Sequence, residues 1–305
     1  MTNRRLLLTG AGGFVGRHVL AASSNGGPFA EWDISSPPGV WDIRDASDVQ
    51  RLVSDVRPDA VLHLAAQSFV PRSFEDPHET FAINLGGTLN LLIALRATGF
   101  DGRMLFVSSG DVYGRVPEED LPVDESRIPE PRSPYGVSKI AAEQLCLQWH
   151  RTEGLDAMIA RPFNHVGPGQ DARFVLPALA RQVVAIAEGR RPPVIEAGDI
   201  DTTRDFTDVR DVVGAYAAML GRGKPGATYL IGTGQERRVR DLLRAMCESC
   251  GIAPEIRQDP ARMRPSEQRR MAADATRLRQ DTGWSPSISM ESTINDILDE
   301  ARNCI

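Results

Sequence analysis

The chain has 305 residues, 41% of them hydrophobic and 25% charged, so it can bury a full core as one large domain or as a large and a small one. Its formal charge of −6 argues against a general nucleic-acid binder. Four cysteines in so long a chain make no disulfide framework, and Cys247 and Cys250, the only close pair, have no second Cys/His pair spaced to complete a zinc site.

The opening Arg4-Arg5-Leu6-Leu7-Leu8 stops at Thr9-Gly10, too soon for a signal peptide, and no later segment offers the about 18 apolar residues of a membrane span. A cytoplasmic protein with no membrane partner is expected. Leu6 to Leu8 reads as a buried strand, Gly10, Gly13 and Gly16 as a tight turn, and residues 14–23 as a helix. By composition alone three glycines at this spacing occur in roughly one chain in five. Their place between a strand and a helix is what makes them a pyrophosphate site, where backbone N–H groups and the helix dipole meet an anion. Asp33, 17 residues after Gly16 and close to the expected second strand, is the candidate acceptor for a ribose 2′-hydroxyl, which favours NADH slightly over NADPH; a turn role before Ser35-Ser36-Pro37-Pro38 is the alternative.

The alternation continues with a strand over 60–64, a helix over 80–96, a strand over 104–107, a helix over 137–151 and a strand over 157–160. This order predicts an α/β fold of Rossmann type, a doubly wound parallel sheet with helices on both faces and ligands beyond the carboxyl ends of its strands. After Phe163 the connections become Pro- and Gly-rich, which predicts a smaller, discontinuous C-terminal α/β domain. A helix over 208–220 and a strand over 228–232 return to the main sheet, so the expected division is 1–163 plus 204–234 against 164–203 plus 235–305. The segment ending at Gly251 reads as an amphipathic helix carrying the cysteine pair.

Tyr135 stands four residues before Lys139 in a chain with four tyrosines and only two lysines, a spacing that chance places in fewer than about three such chains in a hundred. Residues four apart share a helix face, so the ammonium is expected beside the phenol, favouring its ionised form and preparing it to exchange a proton with a sugar or alcohol oxygen. His63 and His165 invite a catalytic reading, but with no Ser-His-Asp spacing a hydrolase is a poor fit.

These motifs, with GAGGFVG at 10–16, HLAAQSFV at 63–70, SSGDVYG at 108–114, RPFNHVGPGQ at 161–170, RDFTDVRD at 204–211 and RPSE at 264–267, run nearly end to end. The chain resembles the extended short-chain dehydrogenases that modify sugar nucleotides, above all their GDP-mannose branch of 4,6-dehydratases and 4-keto-6-deoxymannose reductases. The resemblance implies an NAD(P)-dependent oxidoreductase in which Tyr135 donates the proton, Ser109 bonds the reacting oxygen and Lys139 polarises Tyr135 and holds the nicotinamide ribose. It implies a cofactor site of Gly10, Gly13, Phe14, Val15, Gly16, Asp33, Asp42, Ile43, Leu64, Ala65 and Ala66, with Asp42 on the adenine amino group, and a nucleotide-sugar site of Ser68, Asn164, Arg204, Arg264 and Glu267, with no metal. It also implies a homodimer, through helices over 85–96 and 137–151.

In the similar dehydratases the position of Asp111 is a glutamate that removes the C5 proton. Asp111 is one methylene shorter, and placement errors near 1 Å cost about a hundredfold in rate. The expected reaction is therefore reduction of GDP-4-keto-6-deoxy-D-mannose to GDP-D-rhamnose by NAD(P)H. A GDP-mannose 4,6-dehydratase, a nucleotide-sugar 4-epimerase and a catalytically silent NAD(P)-binding sensor are the alternatives.

Overall fold

Leu6, Leu7 and Leu8 are all fully buried, as consecutive apolar residues must be when helices cover both faces of a sheet. In the computed structural model, which describes residues 4–24, 26–37, 39, 41–259 and 268–303, they belong to the first strand. The chain order is β1 (Arg4–Thr9), α1 (Phe14–Ala21), β2 (Trp32–Ser35), α2 (Ala46–Val56), β3 (Ala60–His63), α3 (Val70–Glu75), α4 (Pro77–Phe81), a π-helical turn (Ala82–Gly86), α5 (Gly87–Ala97) and β4 (Arg103–Val107). After a 3₁₀ turn (Gly110–Tyr113) come α6 (Pro134–Glu153), β5 (Asp156–Pro162), β6 (Asn164–Val166), α7 (Val175–Ala187), β7 (Val194–Ala197), β8 (Thr203–Asp208), α8 (Val209–Arg222), β9 (Thr228–Ile231), β10 (Glu236–Arg238), α9 (Val239–Ser249), β11 (Glu255–Gln258), α10 (Thr276–Thr282) and α11 (Met290–Asn303).

Six parallel strands form the main sheet in the order β2-β1-β3-β4-β5-β9. The chain leaves β1 toward β2 and returns to β3 on the other side, so the order reverses at β1. The crevice outside the carboxyl ends of β1 and β3 is thus the place where this topology receives a ligand. One face is packed by side chains of α1, α8 and α10, including Val19, Tyr216 and Leu278, and the other by α2, α5 and α6, including Leu52, Leu91 and Cys146. Leu91 and Leu92 are fully buried. Residues 77–97 form a 21-residue helical run that, contrary to the sequence expectation, is apolar and long enough to match a membrane span; it is interrupted by the π turn and 44% of its most apolar window is buried.

A second core gathers α7, α9 and α11 around Ile195 and Phe206. Beside it lie a three-stranded sheet, β10-β8-β6, and the pair β11-β7. As expected, α8 and β9 return to the main body. Two segments depart from the expected division. β8 pairs with β6 and β10 instead of the main sheet, and Ala275, Leu278 and Trp284 pack in the first core, where the Trp284 indole donates to the Asp211 carbonyl at 3.0 Å.

Candidate active site

Gly10 has φ +76°, and a Cβ there would lie 2.8 Å from the Ala65 nitrogen and 2.9 Å from the Leu64 carbonyl carbon. Only glycine lets the turn after β1 approach the loop after β3 this closely. At Gly16 a Cβ would lie 2.3 Å from the Gly10 carbonyl oxygen, so the third glycine lets α1 start directly against the turn. Gly13 caps α1 without any side-chain hydrogen bond, leaving the first-turn N–H groups of Phe14, Val15 and Gly16 directed to the crevice. The Leu64 N–H reaches the Thr9 carbonyl at 3.2 Å and the Ala65 N–H reaches the Thr9 hydroxyl at 3.2 Å, which holds the 64–66 loop over the glycine turn. This cradle fits a dinucleotide pyrophosphate.

The flank of the cradle is also fixed. The Asp42 carboxylate accepts from the Arg44 side chain and backbone N–H, which hold it below the ordinary carboxylate range. Ile43 is buried beneath Gly87, where a Cβ would collide with it at 2.5 Å, and its carbonyl accepts from Asn90 at 3.0 Å. The helix cap in this stretch is Asp45, not Asp42.

Asp33 does not stand where the ribose contact was expected. It pairs in register with Arg5, while Leu7 is level with Ser35, so Pro37 is the residue that would come level with Thr9. At about 3.3 Å per residue, Asp33 is roughly 13 Å short of the carboxyl end of β1. Ser35 and Ser36 lie closer to that end, Ser36 one residue short of it. The slight preference for NADH drawn from Asp33 loses its structural basis.

The catalytic candidates converge at the carboxyl end of β4. Ser109 precedes the 3₁₀ turn and accepts from the Asp111 N–H at 3.1 Å, so it is a cap as well as a candidate donor. Ser133 caps α6 by accepting from the Gly136 N–H at 3.0 Å, which sets Tyr135 in the first turn. Burial pushes the Tyr135 phenol above its ordinary range, the Asp111 carboxylate adds to the rise, and a hydrogen bond from Ser109 opposes it. The expected lowering of Tyr135 is thereby corrected: burial and Asp111 set its direction. The Lys139 ammonium lies 4.7 Å above the Phe106 ring, brought down to about 8 by burial, with Glu143 opposing. The surroundings of Tyr135 favour the protonated phenol.

Asp111 opens onto the cleft, yet the protein packed around its carboxyl raises its pKa while Arg204 draws it down. Arg204 on β8 donates to the Thr203 carbonyl at 2.7 Å; burial works against its charge, and Asp111 and Asp199 support it. Asn164 is exposed at the start of β6, level with Phe206 on β8, and Ser68 is exposed in the loop after β3. The remaining two substrate candidates, Arg264 and Glu267, lie outside the described residues.

His63 is a structural residue. Its ring bridges the Thr9 and Thr88 hydroxyls at 2.7 and 3.0 Å, and burial, with Lys139 nearby, lowers it to about 3. His165 stacks on Phe14 with ring centroids 6.0 Å apart. Two contributions have no role assigned from sequence, although Asn84 is among the residues that carry the family resemblance. Asn84, in the π turn, joins the Gln67 backbone to the Ser138 hydroxyl and so ties the loop after β3 to α6. Arg161 and Glu143 form a buried pair behind Lys139, signalled in sequence only by the four-residue step from Lys139 to Glu143.

The family model described as GDP-mannose 4,6 dehydratase matches residues 40–297. A curated relative from Pseudomonas aeruginosa, GDP-6-deoxy-D-mannose reductase, is 46% identical over 97% of each chain. A solved structure described as RMD from Pseudomonas aeruginosa complexed with NADPH is 44% identical, with TM-score 0.92 over 98% of this chain and 99% of that one. The UDP-glucose 4-epimerase of Thermus thermophilus, solved with NAD, is 32% identical, with TM-score 0.86 over 99% of this chain and all of that one.

Proposed function

The chain belongs to the GDP-mannose 4,6-dehydratase family of extended short-chain dehydrogenases, and from that premise we propose that it reduces the C4 keto group of GDP-4-keto-6-deoxy-D-mannose to give GDP-D-rhamnose. The observation that carries this reading is the 46% identity, over 97% of each chain, to a GDP-6-deoxy-D-mannose reductase, beside a buried Tyr135 with Ser109 hydrogen-bonded to it. A ketone reduction needs an acid at its start, whereas oxidation of a hydroxyl, the opening step of an epimerase or dehydratase, needs a base.

A reduced nicotinamide, when bound, would supply the hydride to C4. Gly10, Gly13 and the first turn of α1 hold its pyrophosphate, Leu64 to Ala66 border it, Asp42 and Ile43 bound the adenine, and Lys139 holds the ribose. Ser109 donates to the C4 oxygen and Tyr135 passes its proton there as negative charge develops. Asn164, Arg204 and Arg264 hold the nucleotide diphosphate, for which the planar guanidinium fork of arginine suits a phosphate, Glu267 accepts from the nucleotide ribose, and Ser68 borders the sugar. With hydroxyls in place of an acid at the end of β2, NADPH is taken at least as well as NADH.

We group 1–163 and 209–234, joined by the segment 275–284 that packs in the first core, as the cofactor domain and assign the remainder of the chain to the nucleotide-sugar domain. We also propose a cytoplasmic homodimer without nucleic-acid or membrane partners. Leu89 and Ile93 on α5 and Val137 on α6, exposed at 39, 44 and 40%, form the apolar face that a second copy covers. The reaction is tested by incubating purified protein with the keto sugar nucleotide and each reduced nicotinamide and identifying the product by NMR. GDP-D-rhamnose is expected; its C4 epimer or unchanged ketone contradicts the proposal.

A further inference from the structure

Arg161 closes β5 with a side chain that is 6% exposed, and it is held from both sides. Its Nε and Nη2 donate to the two carboxylate oxygens of Glu143 at 3.0 and 2.6 Å, and its Nη1 donates to the Tyr113 hydroxyl at 2.8 Å. The Tyr113 hydroxyl in turn donates to the Asp124 carbonyl at 3.2 Å. Glu143 and Tyr113 are both fully buried.

A buried ion pair is poor value for stability alone, since well-packed apolar residues of similar volume serve as well or better. What this pair does is join three segments. Glu143 lies on α6 four residues beyond Lys139 and eight beyond Tyr135, on the same face. Tyr113 ends the 3₁₀ turn that Ser109 caps and Asp111 occupies. Arg161 lies three residues before Asn164. One guanidinium therefore spans the element of the proton donor, the element of the hydroxyl donor and the strand leading to the substrate side.

Resting on the reductase reading, we propose that Glu143, Arg161 and Tyr113 are positioning residues that fix the Tyr135 and Lys139 face of α6 against the Ser109 to Asp111 turn. None of the three is assigned contact with substrate or cofactor. The bidentate Arg161 to Glu143 geometry sets both the separation and the rotation of α6, because two parallel bonds to one planar group resist sliding and twisting. The network also has an electrostatic output. The groups facing Lys139 are Glu143 and Cys146 on its own helix and His63 on β3, with Arg161 on β5 behind Glu143; of these Glu143 is the negative charge that sustains the ammonium.

Two variants test this. Tyr113→Phe keeps the ring and deletes the hydroxyl; kcat should fall about tenfold with the KM values for sugar nucleotide and NADPH within about twofold of wild type. Glu143→Gln deletes the charge, and the alkaline limb of the pH profile, set by Lys139, should move down by about one pH unit. A purely structural network would lower the melting temperature without producing either change. Wild-type kcat in Tyr113→Phe, or an unmoved alkaline limb in a folded Glu143→Gln, overturns the proposal. Should Glu143→Gln fail to fold, Tyr113→Phe decides alone. If wild-type protein does not turn over the keto sugar, the reductase reading fails on its own. The alkaline limb of NADPH affinity, measured by fluorescence titration of wild type and Glu143→Gln, then tests the network without the sugar: the same downward movement supports it and coincident limbs refute it.

Discussion

Asp111 lies within electrostatic reach of Tyr135, and its carboxylate adds to the burial that keeps the phenol protonated. On the proposed reading the two residues have separate tasks, one as acid and one as a charge that keeps the acid loaded. Asp111→Asn is expected to retain ketone reduction with kcat within about tenfold of wild type, because the proton still comes from Tyr135. A loss of about a thousandfold, measured as nicotinamide oxidation at 340 nm, would make Asp111 the acid.

Tyr135→Phe removes the proton donor and leaves the buried ring. kcat should fall by about 10²- to 10⁴-fold, while NADPH affinity, followed by fluorescence titration, changes little. Turnover close to wild type would move the acid to another group.

The register of β2 makes a prediction about cofactor choice. Asp33, level with Arg5, is too far from the glycine turn to meet the ribose, so Asp33→Ala should leave the NADH-to-NADPH ratio of kcat/KM within about twofold. Ser36→Asp places a carboxylate roughly 10 Å nearer the end of β1 than Asp33 and should shift that ratio toward NADH by about tenfold or more, through repulsion of the 2′-phosphate. Kinetics that respond to Asp33 and not to Ser36 would refute the register argument.

His63 gives the fold a pH dependence of known sign. Its folded value is lowered to about 3 from an unfolded value near 6.5, so between those values the unfolded chain binds the extra proton. Stability is intact above about pH 6.5 and declines below it, by at most about 1.4 kcal/mol per pH unit from this residue. Denaturant unfolding at pH 7 and pH 5 should show a smaller difference in His63→Asn than in wild type. An equal difference in both would mean that other groups carry the acid sensitivity.

The alternation of strand and helix was legible in the sequence because a sheet covered on both faces demands short, continuous apolar runs such as Leu6 to Leu8. The glycine turn was legible because close backbone approach at Gly10 and Gly16 tolerates no Cβ. Asp33 was misplaced because strand register is fixed by packing across the sheet, and the sequence interval from Gly16 does not encode it. The π turn around Asn84 was invisible to periodicity, since the flanking helices keep their apolar spacing through it. The pairing of Arg161 with Glu143 joins residues 18 apart across two layers, a relationship that only the assembled sheet creates. The expected lowering of Tyr135 by Lys139 rested on helix spacing alone, whereas burial and Asp111, which that spacing does not encode, set the direction.

The central claim is most directly tested by presenting purified protein, in parallel, with GDP-4-keto-6-deoxy-D-mannose plus NADPH and with GDP-mannose plus NADP⁺, and following nicotinamide and sugar together. The account predicts one NADPH oxidised per keto sugar reduced in the first reaction and no 4-keto-6-deoxy product in the second, because Asp111 is too short a base for C5. Robust conversion of GDP-mannose, with no net consumption of NADPH by the keto sugar, would contradict it and make the protein a dehydratase.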